Sequence, residues 1–198
     1  MKKMLNGPRN HVLQAKTGEW GTVGADELSA TLWRERKRLE LLLFRLESQL
    51  FHVRAGNWRW LNFTASDVEN VLENLRFDTL ARNIESSAVA IQWGAPANAT
   101  LPTIASVAPP GIWPELLQEH HHAMVLLLNQ VGATAAANVE ALQLGSRAPG
   151  TTADPDAAAD PDAAADVMLL AVTANIQRAL AVTKDCSLPL LEEFLKPG

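Results

Sequence analysis

Apolar residues recur every seven positions at Leu32, Leu39, Leu46 and Val53, with Leu42, Leu43 and Leu50 widening the stripe. A seven-residue repeat holds one face of a helix against a neighbour along its whole length, so residues 26–55 are predicted to form a lengthwise-pairing helix. At ~1.5 Å per residue it spans roughly 45 Å. Gly56-Asn57 supplies a stop and a tight turn. A second helix is expected over 58–92, where Leu61, Val68 and Leu75 are spaced by seven and Ala65 and Leu72 fill the seam. Beyond Leu72 the apolar positions fall at 80, 84 and 91, which reads as a four-residue stutter of that seam. Ser66 with Glu69 offers a capping box and a later start, but Leu61 already belongs to the seam and favours the earlier one. So short a turn makes the two helices antiparallel.

Gly94, Pro96, Pro102, Pro109, Pro110 and Gly111 mark a loop over 94–112, with one helical turn at 103–107. Pro114 suits the first position of a third helix and Glu115 its positive end. Trp113, Leu117, Met124, Leu127, Val131, Asn138 and Leu142 form the buried stripe, and Gly145 is its expected end. A hexamer then repeats, Asp154-Pro155-Asp156-Ala157-Ala158-Ala159 and Asp160-Pro161-Asp162-Ala163-Ala164-Ala165. With no large apolar group from 151 to 166, it reads as a linker. Leu169, Val172, Ile176 and Leu180 follow as a short amphipathic helix, and the chain closes on Leu188-Pro189-Leu190-Leu191-Glu192-Glu193-Phe194-Leu195-Lys196. The expected organisation is a glycine-rich, disordered or loosely docked start (1–25), a helical bundle (26–145), a flexible linker (146–166) and an amphipathic C-terminal segment (167–198). The fold class is all-α: a long antiparallel hairpin plus a third helix, a coiled-coil-like three-helix bundle.

Charge changes the picture only through its placement. Of 22 acids and 17 bases, eight acids and three bases lie in 151–198, which leaves the body neutral and the tail acidic. A neutral body lacks the basic footprint that nucleic acid requires. The mixed run Arg34-Glu35-Arg36-Lys37-Arg38 reads as a solvated helix flank rather than a contact for nucleic acid or anionic membrane. Cys186 is the single cysteine, so no internal disulfide or thiolate metal cage forms, which fits a reducing cytoplasm. The first twenty residues lack the apolar core of a signal peptide. No stretch approaches the ~20 apolar residues of a membrane span, so no membrane insertion is expected.

His120, His121 and His122, with Glu119 completing one Glu-x-x-His, are the only cluster with metal-ligand character. Consecutive helical residues point about 100° apart, so the three cannot share an ion. Cys186 has no histidine nearby, and no phosphate-binding glycine loop is present. No catalytic residue, metal or cofactor is expected. Asn138, polar on a buried stripe, either fixes helix register or anchors a partner's backbone. Trp20, Trp58, Trp60, Trp93 and Trp113 cluster at presumed helix ends, where indoles close a bundle.

Several blocks resemble the FlgN-like family of flagellar type III export chaperones, its actinobacterial branch above all. GEWGTVGADELSATLWRERKRLELLLFRLE (18–47) is similar to that branch's opening, and RWLNFTASDVENVLENLR (59–76) to its second helix. WPELLQEHHHAMVLLLNQVGATAAANVEAL (113–142) is similar to its third, including an Asn in a small-residue run, and LPLLEEFLK resembles its close. The hexamer repeat and the histidine triplet depart from the pattern. The resemblance implies a small cytoplasmic all-helical protein, without catalysis or cofactor, that binds flagellar hook-associated (hook–filament junction) proteins. Such a chaperone prevents their premature assembly and delivers them to the export apparatus at the membrane. Partner contact is expected at Asn138, Leu142, Leu169, Val172, Ile176, Leu180, Leu190, Leu191, Phe194 and Leu195, unless these dock back as a fourth helix. The alternative is a helical-bundle adaptor that uses the same seams to form a homo-oligomer.

Overall fold

The computed structural model describes residues 24–147 and 161–197. The expectations for 1–23 and for the repeat up to residue 160 lie outside them. Helices α1 (Ala25–Arg54), α2 (Leu61–Gln92), α3 (Leu101–Val107), α4 (Trp113–Arg147), α5 (Pro161–Lys184) and α6 (Pro189–Leu195) follow in order, with a 3-10 turn at Trp58–Trp60 before α2. The chain is all-α, with long helices packed against one another.

Each helix stops for a local reason. At the end of α1 the Asn57 N–H donates to His52 O (2.9 Å) and the Gly56 N–H to Val53 O (3.1 Å), with Gly56 at φ 68°. This Schellman closure needs the left-handed conformation that glycine adopts without strain. The end of α2 repeats it, Ala95 donating to Ala90 O and Gly94 to Ile91 O. The short helix α3 starts at Leu101, two residues before the expected turn, because Pro102 presets the backbone of its first turn. The Ser66 capping box is not used: Ser66 Oγ donates to Asn62 O inside α2.

Cross-helix pairs fix the topology. Arg45 meets Asp67, Arg38 meets Asp78 and Glu35 meets Arg82, so α1 and α2 are antiparallel. Ser29 meets His120 and Gln49 meets Asn138, so α4 runs parallel to α1 after the long connection through α3. Arg178 reaches Asn62, Ser66 and Glu69, and Asp185 reaches Arg76, so α5 descends beside α2. The bundle is therefore up-down-up-down, with α5 as a fourth helix.

Three expectations change. First, helix α5 extends back to Pro161, into the stretch read as linker, and its start has proline at the first position and an alanine run, the strongest helix former. Second, Gly145 does not end α4, which runs on to Arg147. Third, the seam of α2 does not stutter. It continues at strict sevens through Leu61, Val68, Leu75, Arg82 and Val89, all buried. Leu80, Ile84 and Ile91 face water instead, and Ile84 is 74 % exposed. A charged residue on the inner face disguised the repeat.

Candidate partner-binding surface

The ten residues expected to meet a partner divide by burial. Leu142, Ile176 and Leu180 close a core cluster with Val53, Leu61 and Ala65 at the hairpin end, with Val172 packed against it. Leu191, Phe194 and Leu195 of α6 join the larger cluster beside Leu101, Ile104 and Leu117. Only Leu169 and Leu190 are exposed. In this state α5 and α6 cover the bundle, and a partner reaches the enclosed residues only by displacing them.

Asn138 is fully buried, and all its bonds are internal. Its Nδ2 donates to Leu46 O (2.9 Å) and Thr134 O (3.0 Å), while its Oδ1 accepts from Gln49 Nε2 (3.3 Å). Gln49 Nε2 also donates to Thr183 Oγ1 at 2.8 Å, so one polar layer ties α1, α4 and α5. Such a layer fixes register, because a slipped helix strands a buried amide.

A second buried polar layer lies towards the α3 end. Glu35 and Arg82 are both fully enclosed, with Arg82 Nε donating to Glu35 Oε2 and Thr79 Oγ1 to Oε1, each at 2.9 Å. Burial pushes the Glu35 carboxyl up, against the pull of Arg82, and pushes the Arg82 guanidinium down. The Phe194 ring of α6 covers the pair, its centroid 4.1 Å from the guanidinium carbon. The rest of the basic run on α1 is also paired: Arg34 and Arg38 with Asp78, Lys37 with Glu40, Arg36 with Glu119.

The histidines point three ways. His120 is buried between Ser29 Oγ (3.3 Å) and Arg36 Nη1 (3.4 Å), and burial lowers its pKa, with Arg36 adding to the effect. His121 Nε2 donates to Leu195 O at 2.9 Å, and His122 Nδ1 to Gln118 O at 3.3 Å. Among the described residues no group of three His, Cys, Asp or Glu is placed to hold one ion. Cys186 is buried and its thiol is pushed up to about 12 by burial, with Asp185 adding to it.

The face of α2 that points away from the core is apolar as well. Phe77, Leu80, Ile84 and Ile91 form an outward stripe on α2, with Phe63 on the same heptad position two repeats earlier. On α1, Trp33, Leu41, Phe44 and Phe51 also face water, opposite the core stripe. Arg36 and Lys37 lie over Trp33, and Arg45 over Phe44. The same sevenfold spacing thus runs twice along α2, once inward and once outward. The signal was present at 63, 77, 84 and 91.

Helix α4 also departs from the expectation that no segment suits a membrane. From Trp113 to Ser146 it is long and apolar enough to cross one, by length and composition alone. Its alanines raise the mean hydropathy, yet it carries Glu115, Glu119 and Glu140 and packs lengthwise against α1. No family model, curated protein or solved structure matches the chain.

Proposed function

We propose that this chain is a cytoplasmic export chaperone for flagellar hook–filament junction proteins, holding their terminal helices unassembled and handing them to the export apparatus. The observation that carries the reading is the outward heptad of α2: Phe77, Leu80, Ile84 and Ile91 offer a second helix an apolar seam that none of the described residues covers. In the family that the chain resembles, the junction-protein termini fold only on assembly, and before export they display an apolar helical face. Pairing along α2 hides that face, and the cost of ordering it keeps the complex releasable. The resemblance of residues 18–47, 59–76 and 113–142 to flagellar chaperones supports the same role.

Co-expression with the junction proteins of its own organism tests it. Wild type is expected to retain one of them through affinity purification and gel filtration. Leu80→Glu with Ile84→Glu is expected to keep its helicity and lose the partner. Normal secretion of both junction proteins in a deletion strain overturns the proposal. The same outward heptad also suits a second copy of the chain, as in a structural adaptor. That reading predicts a constitutive oligomer whose mass by light scattering ignores junction proteins.

A further inference from the structure

The chain enters α1 through Gly24, and it does so against α2. A Cβ at Gly24 would lie 3.7 Å from Val89 Cγ2, near the end of α2, and Gly24 turns the backbone there at φ 93°. Glu85 stands one turn before Val89 on the same side of α2, and Ala81, Ala88 and Ile84 follow round the helix. The small side chains of Ala81 and Ala88 leave a low edge between this entry point and the outward stripe of Phe77, Ile84 and Ile91.

Length permits a contact. From Val89 back to Phe77, α2 measures roughly 18 Å. The segment 1–23 reaches about 34 Å at the helical rise and further when extended, so it is long enough to follow the stripe in either form. Its apolar residues keep the same interval. Leu5 and Val12 are seven apart, as are Leu13 and Trp20, and so are Phe77, Ile84 and Ile91.

Charge selects the occupant. Residues 1–23 hold Lys2, Lys3, Arg9 and Lys16 against Glu19 alone, which makes them the basic part of a chain of net charge −5. On α2, Asp67 pairs with Arg45, Glu69 with Arg178, Arg76 with Asp185, Asp78 with Arg38 and Arg82 with Glu35. The two remaining charges of the helix, Glu73 and Glu85, form no ion pair among the described residues. Oε2 of Glu85 is enclosed and has no hydrogen-bond partner among them, a costly state that a basic or N–H donor relieves. A second copy presenting this face would bring like acids together, whereas the segment beside Gly24 brings bases.

We propose that residues 1–23 of this chain dock on the outward face of α2, with Leu13 and Trp20 on the apolar stripe and basic side chains at Glu73 and Glu85. The segment is then the resident occupant of the stripe, and a partner helix gains the stripe by displacing it. The inference rests on the same face of α2 as the chaperone reading and says what fills it before a partner arrives. Its assay contains no junction protein.

Thiol protection in the full-length chain tests it. Ile84→Cys places a thiol in the stripe, and Phe44→Cys, on the outer face of α1, gives an exposed reference; Cys186 is buried and is mapped separately. Alkylation by iodoacetamide is expected to run at least about ten-fold slower at position 84 than at position 44, the factor that ~1.4 kcal/mol of docking gives. Lys3→Glu, Arg9→Glu and Lys16→Glu, introduced together, are expected to bring the rate at position 84 up to the reference while circular dichroism stays unchanged. Equal rates at the two positions without these charge reversals overturn the proposal, and so does protection that the reversals leave intact. Protection that fades on dilution, with a dimer by light scattering, also overturns it, because a second copy then covers the stripe. Protection without retention of any junction protein keeps this inference and removes the chaperone reading, and retention without protection does the reverse.

Discussion

The indole of Trp58 occupies the space that a side chain at Gly145 would need: a Cβ there would lie 2.2 Å from Cη2 and 2.8 Å from Cζ3 of the ring. That contact lets α4 pass the hairpin turn closely enough for Leu142 to seal the cluster with Leu61 and Ile176. Gly145→Ala is therefore expected to destabilise the chain despite alanine's better helix propensity. Overpacking costs ~1–3 kcal/mol against a propensity gain of about 1. Gly132, on the same helix, has nothing within 4 Å of a built Cβ. Gly132→Ala is expected to stabilise by ~0.5–1 kcal/mol. Thermal melts read both at roughly 2–4 °C per kcal/mol for a chain of this size. Equal shifts for the two variants would show that Trp58 does not press on residue 145.

The second expectation concerns Glu35 and Arg82. Glu35→Leu leaves Arg82 charged and enclosed, with Asn83 Oδ1 as its hydrogen-bond acceptor and the Phe194 ring over it, and such unpaired burial costs ~3–5 kcal/mol. Replacing both, Glu35→Leu with Arg82→Met, removes the stranded charge and is expected to be far less costly than the sum of the singles. A double-mutant cycle from urea midpoints measures the coupling. Additive effects would mean that the two groups do not meet in the folded chain.

The helices were legible from the spacing of apolar residues, as Leu32, Leu39, Leu46 and Val53 show. All four are buried on α1. Legibility failed where polar residues took core positions. Arg82 lies seven residues after Leu75 and belongs to the seam, but its charge made Leu80 and Ile84 look like the continuation. An ion pair between helices 47 residues apart in sequence leaves no local trace. The docking of α5 was undecidable for a related reason. Arg178, Thr183 and Asp185 hold it through partners on α1 and α2, and their pairing is set by topology. Glycine misled in the same way: residue 145 ends nothing and instead makes room for an aromatic ring from another helix.

His120 makes stability depend on pH. Its pKa in the folded chain lies below the ordinary 6.5, chiefly because burial disfavours the charged ring, with Arg36 on α1 adding to that and Glu119 on α4 opposing it. The unfolded chain then binds the proton more readily, so stability is complete above pH 6.5 and is lost as pH falls through the window below it. Melting temperatures are expected to decline from pH 7 towards 5.5 in wild type and to stay flatter in His120→Gln. A decline of equal slope in the variant would assign the effect to other groups.

Cys186 reports whether α5 and α6 stay docked. Its thiol is buried in the larger core cluster and pushed up to about 12, so both access and ionisation oppose reaction at neutral pH. Alkylation by iodoacetamide at pH 8 is expected to be slow in the folded chain and to reach the rate of a free thiol in denaturant. Leu191→Ala with Phe194→Ala removes two of the side chains that hold α6 against the larger core cluster, and each such deletion costs ~2–5 kcal/mol where the side chain is fully enclosed. That variant is expected to react faster while the long helices keep their circular dichroism, because α6 opens locally before the bundle unfolds. Junction protein, if it pairs along the outward face of α2, is expected to leave the rate unchanged. If it displaces α6, the rate rises with its concentration, and the contact surface moves from Leu80 and Ile84 to the groove beneath Phe194.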